Sequence, residues 1–390
     1  MFSSRVPGAL APNRLTVEIR RARSSGRSLI DLTLSNPTEA GIRYPESMLD
    51  ALADRASQRY QPRSLGLPVT REAIACDYRR RGLAVAPAHI VVTASTSEAY
   101  SLLFKLLCEP SGTAALVPVP SYPLFDHLTR LDGVEGIAYR LDYHGRWAVD
   151  FGSLDAGWSD RVRAVLAVTP NNPTGSMLSE GELAGMSERC AVRDAALIID
   201  EVFGDYPIET AVPVPSTAVF APAPCLTFRL GGLSKSVGLP QVKLGWIAVS
   251  GPEAAVREAL DRLELICDTY LSVSTPVQIA APRLLADGAA VREVIRDRVR
   301  TNYRALRTIA AAYPSVGVLH CDGGWSAVLR VAATRSEEEI VLDLLESEGV
   351  LVHPGFFFDF DREAFLVISL LPEPAVFAEG VRRVMERADV

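Results

Sequence analysis

Several common features are scarce or missing in this sequence of 390 residues. No apolar run approaches the roughly 18 residues of a membrane-spanning helix. The N-terminus also lacks the basic start and apolar core of a secretory signal. Basic residues do not dominate, because 40 Lys and Arg stand against 47 Asp and Glu, a net charge of −7. A basic surface for nucleic acid is therefore not expected, and the protein is predicted to be cytoplasmic, without a membrane partner.

Metal-binding and disulfide patterns are missing as well. The six cysteines are scattered singly and form no CxxC pair, which is typical of reduced core residues. The five histidines lack the spacing of metal ligands. We therefore expect neither a structural metal nor a disulfide framework.

What the chain does contain is a large apolar content and a regular alternation of strand-like and helix-like segments. Hydrophobic residues make up 48% and charged residues 22%, enough for a sizeable core. The length predicts more than one domain. Short apolar runs such as Ala114–Pro118, Ala164–Val168 and Ala196–Ile199 alternate with helical patterns, which indicates a mostly parallel sheet covered on both faces. The C-terminal part predicts a smaller α+β domain, and Pro207–Pro224 is a candidate flap.

Polar residues follow several of these strands, where ligands gather in open parallel sheets. Ser95-Thr96-Ser97 precedes a helix and suits either phosphate binding or simple N-capping. Tyr122 follows the next strand and suits either a planar ligand or an ordinary half-buried turn. Asn172 lies in a loop stiffened by two prolines, where its amide either faces a ligand or bonds its own backbone. Asp200 ends an apolar strand, where a carboxylate needs a cation, a donor or a cap.

Lys235 lies between glycines and small hydroxyl residues in Gly231-Gly232-Leu233-Ser234-Lys235-Ser236. A lysine whose charge is disfavoured becomes a nucleophile, and a carbonyl cofactor then captures it as a Schiff base. The alternative is an ordinary small-residue loop that happens to contain a lysine. The neighbouring motifs along the chain decide between them.

Taken in order, these motifs resemble the fold-type I aminotransferases of class I/II. The resemblance rests on Asn171-Asn172-Pro173-Thr174-Gly175, Asp200-Glu201-Val202-Phe203, Ser234-Lys235 and Lys243-Leu244-Gly245-Trp246, and it extends over almost the whole chain. It implies an α/β fold with a large domain built on a mostly parallel seven-stranded sheet. The implied limits are residues 1–45 for an N-terminal arm with part of the small domain, 46–280 for the large domain and 281–390 for the small one.

The resemblance also implies pyridoxal 5′-phosphate as cofactor. Lys235 matches the Schiff-base lysine that later moves the proton, and Asp200 matches the acid that pairs with the pyridinium nitrogen. Asn172 matches the donor to the phenolic oxygen, and Tyr122 matches the residue stacked on the ring. Ser95, Thr96, Ser97 and Ser234 match residues that bind the cofactor phosphate. Tyr60 matches a tyrosine that reaches the phosphate of the neighbouring subunit, which implies a homodimer.

Two departures concern the cofactor. Lys243 stands where the family usually has an arginine, so the charge is kept but the bidentate fork is lost. Phe203 stands where the family usually has a tyrosine, so the phenolic oxygen loses a donor. We expect the pKa of the lysine–cofactor Schiff base to be higher than is usual for the family.

The third departure concerns the substrate. Val367, in Phe365-Leu366-Val367-Ile368-Ser369, stands where the family's carboxylate-binding arginine usually lies. Arg43, Arg63 and Arg229 are possible substitutes, although each is also explained as an ordinary surface arginine.

Three functions are compatible with these residues. The leading one is an aminotransferase that moves an amino group between an amino acid or related amine and a 2-oxo acid. The alternative on the same fold is a decarboxylase or a C–S or β-lyase, which the missing arginine motivates. A regulator or scaffold that keeps the fold is the non-enzymatic possibility.

Overall fold

The computed structural model describes residues 2–8, 10–209, 223–271, 273–362 and 364–388. Most of the candidate flap Pro207–Pro224 lies outside these residues. No helix of the described ranges is long and apolar enough to cross a membrane.

An eight-stranded sheet forms the centre of the larger part of the molecule. Apolar strands buried on both faces are typical of a parallel sheet covered by helices, and Ala196–Asp200 is buried at every position. Along the sheet the order is β2-β9-β8-β7-β6-β3-β4-β5, with β9 antiparallel to both neighbours and β5 antiparallel to β4. The strands are β2 (Ile90–Thr93), β3 (Ala114–Val119), β4 (Glu135–Tyr143), β5 (Trp147–Val149), β6 (Val162–Val168), β7 (Ala196–Asp200), β8 (Thr227–Gly232) and β9 (Gly245–Ser250).

Helices pack on this sheet, and their ends follow local sequence signals. Ser95 caps one helix by accepting from the Glu98 N–H, and a capping box of Ser179 and Glu182 starts another. The first helix, α1 (Arg14–Ser24), packs instead against elements of the smaller part. The helices on the large sheet are α2 (Pro68–Arg80), α3 (Thr96–Leu107), α4 (Phe125–Leu131), α5 (Phe151–Ala156), α6 (Glu180–Val192), α7 (Leu233–Ser236) and α8 (Glu253–Tyr270).

A second, antiparallel sheet of order β10-β11-β14-β13 forms the smaller part. The long helix α9 (Thr275–Ala310) leads into it, and the N-terminal strand β1 (Ile30–Asp31) pairs with its strand β12. The remaining elements are β10 (Gly317–Val318), β11 (Ser326–Arg330), α10 (Glu337–Asp343), β12 (Val350–Leu351), β13 (His353–Pro354), β14 (Phe365–Ser369) and α11 (Pro374–Ala388).

The predicted α/β architecture is confirmed, with differences in detail. The large sheet has an eighth strand, because β5 folds back on β4 as a three-residue antiparallel pair too short to show a period in sequence. The apolar spacing of Asp50–Tyr60 predicts a helix, but the structure has two 3₁₀ segments there, Glu46–Ala53 and Arg55–Gln58, separated by the cap Asp54. The expected limit between residues 280 and 281 falls inside α9, and the domain division stays a prediction.

Candidate active site

The carboxyl ends of five parallel strands deliver side chains to one cavity of about 330 Å³. This volume lies within the range of small-molecule sites, roughly 300–1,000 Å³. The side chains are Thr96 after β2, Tyr122 after β3, Asn172 after β6, Asp200 at the end of β7 and Lys235 after β8. These five predicted residues are therefore brought together, although up to 139 positions separate them in sequence (Thr96 to Lys235).

Asp200 is the buried acid of this cavity, only 7% exposed. Burial raises its pKa from 3.8 to about 6, because desolvation outweighs the stabilising hydrogen bonds from the Val202 N–H and the Tyr100 hydroxyl. The Val202 N–H lies 3.0 Å from Oδ1, and the Tyr100 Oη lies 3.1 Å from Oδ2. The carboxylate is thus held in a fixed orientation at the edge of the sheet.

Lys235 is half-buried and supplies the amine of this cavity, close enough to Asp200 for their charges to interact. Desolvation lowers its pKa, and the charge of Asp200 opposes this in part. Its Nζ lies 5.0 Å from the ring centroid of Trp325 and 5.7 Å from that of Phe203. Burial among aromatic rings favours the neutral and therefore nucleophilic amine.

The turn that holds Lys235 is fixed from outside the cavity. The Tyr206 hydroxyl donates to the Lys235 carbonyl over 2.6 Å, and the Arg292 Nε donates to the Ser236 carbonyl over 2.9 Å. Arg292 is itself held by Asp77 and Asp205. These contacts immobilise the backbone, so that only the side chain of Lys235 is left to move.

The start of α3 forms a cradle beside the cavity. Thr96 lines the cavity. The Ser95 hydroxyl caps the helix, which is the N-capping alternative considered for this turn. A Cβ added to Gly245 would lie 2.9 Å from the Ser95 carbonyl carbon and 3.1 Å from the Thr96 nitrogen. Only glycine lets β9 approach this turn so closely. The helix N-terminus is suited to an anion such as a phosphate.

The two asparagines of the loop after β6 have different tasks. Asn171 is 2% exposed and bonds Ser121, the Pro120 carbonyl and Thr174, which fixes the loop. Asn172 lines the cavity and accepts at Oδ1 from the Ser326 hydroxyl over 3.3 Å. Its amide Nδ2 makes no hydrogen bond to the described residues, so this donor is available to a ligand.

Of the other predicted residues, two also line the cavity and three do not. Ser234 and Phe203 line the cavity, and Phe203 packs edge-on against Trp325 at 5.4 Å. Ser97 does not line it. Lys243 is exposed and lies outside the lining, with a left-handed φ of 60°. Tyr60 is 68% exposed and likewise absent from the cavity of its own chain.

None of the proposed arginine substitutes reaches the cavity of its own chain. Arg43 and Arg63 are exposed and do not line it. Arg229 is buried against Glu201 and borders a different cavity. Arg229 is therefore neither in a position to bind substrate in this cavity nor an ordinary surface arginine, because its guanidinium is buried and paired with a carboxylate.

Sequence reasoning missed three contributors. Tyr100 orients Asp200 from one turn into α3, and Tyr206 anchors the lysine turn. His353 lines the cavity from β13. Tyr100 is four residues from Thr96, so helical spacing from the phosphate turn could have pointed to it. Nothing local marked Tyr206 or His353.

The sequence matches the family model for aminotransferases of class I and II over residues 28–384. The chain belongs to the class I and II aminotransferases. It is 25% identical over 374 residues to the glutamate-pyruvate aminotransferase AlaA of Haemophilus influenzae, covering 94% of this chain and 92% of that protein. It is 24% identical to an alanine aminotransferase of Mycobacterium bovis, covering 93% and 86%.

Solved structures show the same fold. An alanine aminotransferase from Pyrococcus furiosus superposes with a TM-score of 0.88 at 23% identity, covering 99% of both chains. An aspartate aminotransferase from Thermus thermophilus with maleate gives 0.83 at 23%, again covering 99% of both. This aminotransferase therefore has the fold-type I architecture and depends on pyridoxal phosphate, and transamination is supported over the decarboxylase or lyase alternative.

Proposed function

We propose that Lys235 and Asp200 are the catalytic pair of this aminotransferase, acting on an amino donor and a 2-oxo-acid acceptor. The observation that carries the proposal is that both residues line one cavity at the carboxyl edge of the sheet, where a desolvated amine lies near a buried carboxylate. The cradle at Thr96, closed by Gly245, fits a phosphate.

Pyridoxal phosphate supplies a carbonyl that captures amines and a ring that accepts the electrons of a broken bond. Asp200 would hold the ring nitrogen through its carboxylate, and its orientation by Tyr100 and Val202 suits that task. Asn172 would donate from Nδ2 to an oxygen of the ring. The face of Tyr122 and the hydroxyls of Thr96 and Ser234 would hold the ring and its phosphate.

Lys235 would carry out the proton transfer. Its Nζ would take a proton from the carbon that bears the substrate amine, hold it, and deliver it again on the same side of the cavity. Desolvation keeps the pKa of this amine below its usual value, which favours its action as a base. The aromatic rings of Phe203 and Trp325 exclude water from the amine.

The test is a comparison of wild type with Lys235→Ala. Borohydride reduction followed by peptide mass spectrometry should find the cofactor on Lys235 in the wild type. The variant should bind the cofactor without a covalent bond and lose transamination by several orders of magnitude. Lys105→Ala, which removes a lysine on α3 outside the cavity lining, is the matched control. Covalent attachment in Lys235→Ala would overturn these roles.

We further propose a homodimer in the cytoplasm, with Tyr60 completing the phosphate site of the neighbouring subunit. The exposure of Tyr60 and its position outside its own cavity support this. Mixing Tyr60→Ala with Lys235→Ala should restore activity in heterodimers, because each heterodimer then contains one intact site. No recovery on mixing, with exchange of subunits verified, would contradict the shared site.

A further inference from the structure

The end of the cavity formed by the small sheet is neutral and aromatic. Val367 on β14 is 1% exposed to solvent and lines this end of the cavity. His353 on β13 is its cross-strand partner. The rings of Trp325, Phe357 and Phe358 complete this wall. The wall therefore provides apolar surface with very few polar atoms.

Cationic charge is nearly absent from the cavity. Among the lining residues in the described ranges, Lys235 is the only Lys or Arg. Its charge lies beside Asp200 at the sheet, and Arg229 is paired with Glu201 elsewhere. A carboxylate moved from water to the neutral wall would lose hydration without gaining an ion pair or a bidentate partner.

Two polar groups at this wall are available to a ligand. The imidazole of His353 makes no hydrogen bond to the described residues and packs edge-on near Phe358, at 5.8 Å between centroids. The hydroxyl of Ser35 also lines the cavity and has no hydrogen bond to a described residue. The hydroxyls of Thr33 and Ser369, by contrast, are already bonded to Asp31 and to the Leu34 carbonyl.

His353 is a neutral group here. Burial lowers its pKa, and the nearby charge of Asp31 opposes this only in part. A neutral imidazole both donates and accepts a hydrogen bond. It is therefore suited to a hydroxyl or an amide and not to a carboxylate, which needs compensating charge when buried.

We propose that His353 and Ser35 are specificity residues for a neutral amine, and that the preferred donor carries a hydroxymethyl or similar uncharged polar group where an amino acid carries its α-carboxylate. The donor class is an amino alcohol with an apolar or aromatic body, which the rings of the wall accept. The inference rests on the proposed roles of Lys235 and Asp200. Carboxylate-bearing oxo acids would then bind weakly and show a high KM.

The experiment compares matched donors that differ only at this group. Phenylalaninol and phenylalanine, and leucinol and leucine, are mixed with the holoenzyme, and conversion of bound pyridoxal phosphate to pyridoxamine phosphate is followed by absorbance. The second-order rate constant of conversion should be about 10-fold to 100-fold higher for the amino alcohol of each pair than for the amino acid. This is the range expected when one charged group loses its partner. Equal rates, or preference for the amino acid, would overturn the proposal.

Variants test which residues set the preference. Val367→Arg should shift it toward the amino acid, with Val367→Met as a neutral control of similar length. His353→Phe should reduce use of the amino alcohol through KM, whereas His353→Gln, which can still donate and accept, should retain most of it. A preference unchanged in His353→Phe would remove His353 from the specificity assignment.

A binding measurement separates recognition from catalysis and covers a failure of Val367→Arg to fold. The stable phosphopyridoxyl adducts of phenylalaninol and phenylalanine are titrated into the wild-type apoprotein, and the first should bind more tightly. If the cofactor is not attached to Lys235, the proposed function fails; if it is attached and neither donor converts it, the neutral-amine inference fails. If phenylalanine converts well and this depends on Arg63, the proposed function stands and the neutral-amine inference fails.

Discussion

Replacing Asp200 with Asn is expected to stabilise the apoprotein while abolishing its function. The buried carboxyl has a pKa of about 6, against 3.8 in the unfolded chain. Because the folded protein holds this proton more tightly, its contribution to stability is fully present below the unfolded pKa and is lost as the pH rises through about 6. The shift of about two units corresponds to about 3 kcal/mol lost at neutral pH.

An Asn at this position cannot ionise and avoids that loss. Its Oδ1 can accept from the Val202 N–H, and its amide can donate to the Tyr100 hydroxyl, so both hydrogen bonds survive. The difference in unfolding free energy between Asp200→Asn and wild type should therefore increase by about 2.5 kcal/mol between pH 4 and pH 8, because pH 4 already lies just above the unfolded pKa. Other acids titrate in both proteins and cancel in the comparison.

The assay is denaturant unfolding of the apoproteins across this pH range, with Asp261→Asn as a control that removes an exposed carboxylate. The holoenzyme of Asp200→Asn should lose transamination, since an amide cannot pair with a charged ring nitrogen. A difference between variant and wild type that stays constant with pH would refute the reasoning, because it would show that the buried acid contributes no proton linkage.

Three further perturbations test the neighbouring contacts. Tyr100→Phe removes a donor to Asp200 and should raise the pKa of this carboxyl. The acidic limb of the pH–rate profile should therefore move to higher pH by about one to two units, and a limb that does not move would exclude the contact. Phe203→Tyr adds a donor beside Lys235 and should lower the pKa of the lysine–cofactor Schiff base, as measured by spectral pH titration. A free-base spectrum of the wild type at neutral pH would contradict the expectation that Phe203 leaves this pKa raised. Gly245→Ala should weaken cofactor affinity at least tenfold by equilibrium dialysis, because its Cβ would press on the Thr96 nitrogen, and unchanged affinity would show that the cradle adjusts.

The sequence by itself determined the architecture and the cofactor side of the cavity. Alternation of buried strands and helices is a local pattern, and residues such as Asp200 and Lys235 follow directly on their strands. Parallel strands end at a common edge, so these residues must meet once the strand order is formed. That is why seven of the predicted side chains share one cavity.

Only the tertiary structure decided which polar groups are already occupied. In the sequence, Ser95 and Arg229 are as suitable for binding a ligand as Thr96 and Lys235. In the structure, Ser95 caps α3 and Arg229 pairs with Glu201. Tyr100 reaches Asp200 across 100 positions of sequence, and His353 meets Val367 through strand register. Such partners depend on helix rotation and strand pairing, which no local pattern specifies, and they determine the neutral character of the substrate wall.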